Sequence, residues 1–151
     1  MATATKLTLD SEQIIRALAQ EFVKHYNDRN IDKLVALFTN DGRALSPFRP
    51  MAEEPKALRK HLEQTFKEYE PLNLKVVTAH VEFCGDIAFS VGSFEMSVRT
   101  PSGRRLDDIG KWLVAMRRVG AEWRIVAHCF NTDLPVTSLT GEHVWSSHLI
   151  D

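Results

Sequence analysis

The side chains best suited to acid–base chemistry are an aspartate, an asparagine and a tyrosine. Asp108 and Asn131 lie in the last two predicted strands, and Tyr26 lies at the end of the first predicted helix. Asp108 could act as a base or a hydrogen-bond acceptor, Asn131 as an amide that orients a ligand, and Tyr26 as a donor. The plainer interpretation is that Asp108 lies at a solvated rim and Asn131 completes the hydrogen bonds of a strand end.

The remaining polar residues do not match a carboxylate pair that shares a proton, a zinc site or a nucleotide-binding site. Asp107 and Asp108 are adjacent in a predicted strand, so their side chains point to opposite faces and cannot share one proton. His143 and His148 are five positions apart near the end of the chain, which is not a zinc-binding spacing. We therefore predict no metal. The chain also lacks a glycine-rich phosphate loop and a dinucleotide signature, and we predict no cofactor.

Composition narrows the class of protein further. The 151 residues are 44% hydrophobic and 26% charged, with 19 basic and 20 acidic side chains. This balance argues against a nucleic-acid-binding protein, which usually has a basic excess. No segment approaches the roughly 20 apolar residues of a membrane span, and the first residues lack the apolar core of a signal peptide. Two cysteines without a disulfide framework favour a cytoplasmic protein.

The first half of the chain has helical periodicity. A first helix is predicted to begin at a cap formed by Asp10, with apolar residues every four positions at Ile14, Leu18, Phe22 and Tyr26. Asn30 is predicted to cap a short second helix. A third helix is predicted over residues 54–69, with Leu58, Leu62, Phe66 and Tyr69 as its apolar stripe.

The second half has the pattern of strands. A short strand is predicted over residues 43–46, and four long strands over 73–84, 87–100, 104–119 and 122–132, joined by tight turns. Consecutive long strands of this kind form an antiparallel meander, so the fold class is α+β. We expect one domain over residues 1–151, with a core of about 10–134 and an apolar tail, 135–151, that packs against it.

Two phrases of the sequence carry a family resemblance. "HYNDRNIDKLVALFTNDG" and "GKWLVAMRRVGAEWRIVAHCFNTD" resemble the helix–helix–turn and the final hairpin of nuclear-transport-factor-2-like proteins, within which the chain is most similar to SnoaL-like and ketosteroid-isomerase-like proteins. The resemblance implies a cone-shaped, curved antiparallel sheet with three N-terminal helices packed on its concave face. It leaves function open, because this superfamily includes isomerases, dehydratases, cyclases, hydrolases and non-catalytic binding modules.

The resemblance allows one reaction to be tested position by position. The isomerase base is an aspartate directly before a proline on the first strand, and Ser46 stands there. Phe22 stands at the position of the oxyanion tyrosine, and Val114 or a neighbour at that of the second oxyanion acid. Because all three positions depart from the pattern, ketosteroid isomerisation by that mechanism is not expected.

The resemblance also implies which strand faces line the pocket. On the third long strand, Asp108, Trp112 and Met116 share the face that would line the pocket. On the fourth long strand, the corresponding face carries Asn131. With Tyr26 and Phe48, these residues are the predicted ligand-contacting set, and Asp108 is a candidate catalytic residue. Most of the large aromatic and apolar side chains should belong to the hydrophobic core. A cavity left between them would suit a small apolar or aromatic molecule.

By strand alternation, His128 points to the opposite face of its strand from Asn131, together with Val126 and Phe130. In the superfamily, that side of the sheet usually forms the dimer interface. A homodimer through this sheet face is therefore predicted, with Leu113 and Ala115 also in the interface. His128 is nevertheless a second candidate catalytic residue, because a shift of one residue in the alternation would turn it into the pocket.

Two hypotheses for function follow. The first is an isomerase, cyclase or dehydratase that uses acid–base residues in an apolar cone. The second is a non-catalytic module for ligand binding or association, favoured by the missing isomerase residues.

Overall fold

Three helices occupy the first half of the chain, as the apolar periodicity predicts. The computed structural model describes residues 2–134, and within them the side chains of residues 10–134. Helix α1 spans Ala2–Asn27, α2 spans Ile31–Ala36 and α3 spans Glu54–Glu68. The predicted tail, 135–151, lies outside the described residues.

The ends of the helices confirm one predicted cap and correct another. The Asn30 side chain accepts a hydrogen bond from the backbone N–H of Lys33 at 3.1 Å, which is the cap expected for α2. Asp10 lies inside α1 instead of capping it, so its prediction as the first residue was wrong. The helix instead begins at Ala2, before the point at which the apolar stripe begins.

Six strands form one curved sheet. They are β1 (Phe38–Leu45), β2 (Ala52–Glu53), β3 (Glu70–Cys84), β4 (Ile87–Arg99), β5 (Arg105–Val119) and β6 (Glu122–Thr132), in the order β2-β1-β6-β5-β4-β3. The α+β class and the four-stranded antiparallel meander are confirmed. The sheet as a whole is mixed, because β1 runs parallel to β6, and β1 is longer than the predicted strand at 43–46.

A β-bulge in β6 changes which side chains face the helices. Ala115 pairs with Ala127 and Met116 pairs with Ile125, so Val126 has no residue opposite it in β5. An unpaired residue reverses the alternation of every side chain beyond it. Ile125 and His128 therefore point to the same side of the sheet.

The helices are held against the sheet by apolar burial and by side-chain hydrogen bonds. Ile15 of α1, Leu58 of α3 and Met116 of β5 are each 1% exposed, and they belong to one hydrophobic core. Asn27 joins the end of α1 to β3, because its amide accepts from the Leu74 N–H at 2.8 Å and donates to the Leu74 carbonyl at 3.1 Å. Within residues 2–134, none of the helices has the length and apolarity needed to cross a membrane.

Candidate functional site

A cavity of about 310 Å³ lies between the helices and the sheet. Its walls are mainly aromatic and aliphatic, and it receives side chains from α1, α3, the loop after β1 and all four long strands. The aromatic members are Phe22, Tyr26, Phe38, Phe48, Tyr69, Phe94, Trp112 and Phe130. Its polar members include Ser46, Arg49, His61, Thr65, Glu68, Ser90, Asp108, His128 and Thr132.

Six of the seven predicted site residues line this cavity. They are Tyr26, Phe48, Trp112, Met116, Asp108 and His128. Asn131 does not line it; the residue is exposed and pairs with Lys111 on the other face of the sheet. The bulge at Val126 is the physical cause, because it turns His128, Phe130 and Thr132 inward and Asn131 outward.

His128 is enclosed by aromatic rings. Its imidazole stacks on Phe22 with ring centroids 4.8 Å apart and an interplanar angle of 16°, and its centroid lies 6.0 Å from that of Phe130. Burial, reinforced by the nearby charge of His61, lowers the pKa of His128 to about 4. His128 is therefore a neutral imidazole at pH 7.

His61 is a second imidazole in the same cavity. It projects from α3, and its Nε2 lies 2.9 Å from the Ser46 Oγ, just beyond the end of β1. Burial, then the positive charge of Arg49, lowers the pKa of His61. The sequence contained a signal for this residue: His61 and Thr65 lie between the apolar positions of the α3 stripe, on the face that packs inward.

An ion pair joins the loop after β1 to the end of α3. Arg49 Nη2 lies 2.6 Å from Glu68 Oε2, and the Arg49 side chain is only 17% exposed. Burial raises the pKa of Tyr26 to about 12, with Arg49 partly opposing the shift, so Tyr26 remains a neutral hydrogen-bond donor. Phe48 adopts a φ of 61°, a strained conformation for a bulky side chain, and this turn returns Arg49 to the cavity.

Asp108 lies in a different part of the cavity from His128. The residue opposite His128 in β5 is Val114, six positions from Asp108, which corresponds to about 20 Å along a strand. Asp108 accepts a hydrogen bond from the Thr132 hydroxyl. Burial raises the pKa of Asp108, and the Thr132 hydrogen bond partly opposes that shift. The two predicted catalytic residues therefore lie at different positions along the strands.

The arrangement suits proton transfer. Across the described residues, no three His, Cys, Asp or Glu side chains lie close enough together to hold a metal ion. Two neutral imidazoles in a mostly apolar cavity can accept or donate a proton in a site that limits competition from water.

Comparison with known proteins identifies the family. The model of the SnoaL-like domain matches residues 15–131, which is most of the chain and nearly all of the described part. The chain belongs to the SnoaL-like domain family. It is thus a member of the nuclear-transport-factor-2-like superfamily, as the two sequence phrases indicated. No curated protein matches the chain in sequence.

Solved structures similar to this SnoaL-like domain share its fold at low sequence identity. A ketosteroid isomerase-like protein from Erwinia carotovora atroseptica has a TM-score of 0.76 at 21% identity, covering 82% of this chain and 96% of its own. An NTF2-like protein with a cystatin-like fold from Novosphingobium aromaticivorans has a TM-score of 0.74 at 18% identity, covering 91% and 92%. A candidate scytalone dehydratase from the same species has a TM-score of 0.73 at 18% identity, covering 86% and 89%.

The positions at which this SnoaL-like chain departs from the isomerase pattern all lie in the cavity. Ser46, Phe22 and Val114 are lining residues. The isomerase positions therefore face the cavity in this chain, and none of the three carries a carboxylate. Histidines accompany two of these residues: His61 of α3 lies beside Ser46, and His128, beyond the bulge in β6, stacks on Phe22.

Proposed function

We propose that this SnoaL-like protein is a proton-transfer enzyme of the dehydratase, isomerase or cyclase kind, acting on a small, largely apolar or aromatic molecule. One observation carries the proposal: His61 and His128 face a single apolar cavity. Both imidazoles have lowered pKa values and are therefore unprotonated at neutral pH. With its pKa of about 4, His128 is a weak base, so His61 is the proton acceptor in this proposal. Tyr26, Trp112, Met116 and Phe48 would form the contact surface for the ligand.

Asp108 has a separate role in this proposal. Because Asp108 and Thr132 contact each other further along the strands than His128, they would hydrogen-bond a second polar group of the ligand. The similar structures named after an isomerase and a dehydratase support the reaction class, while the low identity leaves the substrate open.

Proton transfer can be tested before the natural substrate is known. A panel of cyclic ketones beginning with β-tetralone is incubated with the protein in D2O, and carbon-bound deuterium is followed by NMR. We expect exchange above the buffer rate, falling about 10²- to 10⁴-fold in H61Q because the base is lost. Exchange should also fall as the pH drops below the ordinary histidine pKa, since His61 becomes protonated only there. H80Q, which alters an exposed histidine, is the matched control.

The alternative is a non-catalytic ligand-binding module. It is favoured by the large separation of Asp108 from His128 and by the absence of a carboxylate at the isomerase positions. Ligand binding that quenches tryptophan fluorescence, through Trp112 in the cavity wall, without deuterium exchange for any ketone would support this alternative and contradict the enzyme.

A homodimer through the outer sheet face is also proposed. The predicted surface requires correction, because His128 and Phe130 line the cavity. Leu113 keeps its predicted outward position at 46% exposure, and Phe89 and Ile109 are 41% and 49% exposed on the same face. An apolar surface of this kind is typical of a face covered by a partner.

The dimer proposal predicts a change of mass with one substitution. L113E places a charge in the middle of the outer face and should convert a dimer into a monomer in sedimentation experiments at micromolar concentration. E63Q, an exposed position on α3 and away from the outer sheet face, should remain dimeric. A monomeric parent protein would contradict the proposal.

A further inference from the structure

A serine hydroxyl and an imidazole form a pair inside the cavity. The Ser46 Oγ and the His61 Nε2 are 2.9 Å apart, within the range of a hydrogen bond between a nucleophile and its base. Ser46 directly follows β1 and His61 lies in the middle of α3, so two regular elements that pack together fix the pair. Both residues line the cavity and are therefore accessible to a bound molecule.

The surroundings favour the state in which His61 can act as a base. A free serine hydroxyl is a weak nucleophile and becomes effective when an adjacent neutral imidazole accepts its proton. Burial and the charge of Arg49 keep the pKa of His61 below its ordinary value, so the imidazole is unprotonated at neutral pH. The required tautomer carries its proton on Nδ1, which leaves Nε2 as the acceptor facing Ser46.

A positive charge lies beside the pair. Arg49 lines the same cavity three residues after Ser46, and its charge acts on His61. Its ion pair with Glu68 and the turn at Phe48 hold it in place. A fixed guanidinium near a reacting carbonyl can stabilise the negative oxygen of a tetrahedral intermediate.

We propose that Ser46 and His61 form a nucleophile–base dyad that takes the acyl group of a small, uncharged ester. The Ser46 Oγ attacks the carbonyl carbon while His61 Nε2 accepts the hydroxyl proton. The tetrahedral intermediate expels the alcohol, which receives that proton from His61, and leaves an ester on Ser46. A water molecule, deprotonated by His61, then attacks this ester. The bond to the Ser46 Oγ breaks, this oxygen takes the proton back from His61, and the carboxylic acid is released, so that one ester and one water give one acid and one alcohol.

The cavity selects the class of ester. Its volume of about 310 Å³ and its aromatic walls suit a short alkyl or aryl acyl group. Glu68 and Asp108 each place a carboxyl group on the lining of the cavity. An acyl group that carries its own carboxylate should therefore be excluded.

The dyad is tested by covalent labelling of the full chain. An alkyl fluorophosphonate reacts with an activated serine by losing fluoride, and the modified peptide is identified by mass spectrometry. We expect the label at Ser46, its loss in S46A, and about a hundredfold slower labelling in H61Q. S90A removes a buried serine elsewhere in the cavity wall and should still be labelled at Ser46. Hydrolysis of p-nitrophenyl butyrate should show the same ranking.

Several results would overturn the proposal. An unlabelled parent protein, a label at Ser90, or equal labelling rates in the parent and H61Q would each mean that the hydrogen bond only orients His61. Labelling of the parent is informative even if S46A does not fold. The dyad and the proposed proton-transfer site both use His61, but they are tested by different assays. Labelling of Ser46 without deuterium exchange would contradict the proton-transfer function and still support the dyad.

Discussion

G92A is expected to lower the free energy of unfolding by about 3 kcal/mol or more. A Cβ atom at Gly92 would lie 2.0 Å from the carbonyl oxygen of Val77 and 2.6 Å from the ring of Trp112. The first contact is with the backbone of a neighbouring strand, so side-chain rotation cannot relieve it. Either β3 must move away or β4 must distort, and both changes break ladder hydrogen bonds.

The effect should extend to the cavity, because Trp112 lies directly over Gly92. Gly92 and Trp112 are paired across β4 and β5, and the neighbouring inward pair repeats the arrangement with Phe94 over Gly110. A Cβ at Gly110 would lie 2.6 Å from the Phe94 ring. The two glycines thus allow two aromatic rings to lie close to the sheet, and G92A should push Trp112 into the cavity.

Urea denaturation measures the loss, and near-ultraviolet circular dichroism reports the packing of the tryptophans, including Trp112. G85A is the matched control, because a Cβ there meets nothing within 4 Å although its φ is 59°. G85A should lower the free energy of unfolding only by the cost of placing alanine in a left-handed backbone conformation, roughly 1–2 kcal/mol. Equal losses in G92A and G85A would contradict the steric argument.

The sequence predicted the elements of the fold because their apolar periods are long and regular. Four strands of eleven or more residues, separated by glycine turns, permit few arrangements other than a meander. The parallel pairing of β1 with β6 was not predictable in this way. It depends on contacts between residues more than eighty positions apart, such as Phe38 with Ile125, and no local pattern records them.

The candidate site was less predictable, for two physical reasons. Strand alternation assumes an unbroken ladder, and the unpaired residue Val126 invalidates that assumption for His128 and Asn131 together. A helix stripe, in turn, indicates only which face is inward. It cannot say whether His61 meets a filled core or a cavity, because that depends on how closely α3 approaches β1. Arg49 lies in an irregular loop, where neither the helical nor the strand periodicity predicts the direction of a side chain.

The second large effect is loss of stability in acid, caused by His128. Its pKa of about 4 in the folded protein lies below the ordinary value of 6.5 that it has when unfolded. The unfolded chain therefore binds a proton more readily, and acid favours unfolding. The contribution of the neutral imidazole is fully present above pH 6.5 and is lost progressively between pH 6.5 and pH 4. A difference of this size corresponds to about 3 kcal/mol.

H128F isolates this effect, because phenylalanine can retain the contacts with Phe22 and Phe130 but has no titrating group. Between pH 7 and pH 4, the free energy of unfolding of the parent should fall by about 3 kcal/mol more than that of H128F. Carboxylates elsewhere titrate in both proteins, so their effect cancels in the difference. The comparison uses urea denaturation at several pH values, with H80Q as a control that should follow the parent. Parallel curves for the parent and H128F would mean that His128 is solvated in the folded protein, and proton transfer would then have to depend on His61 alone.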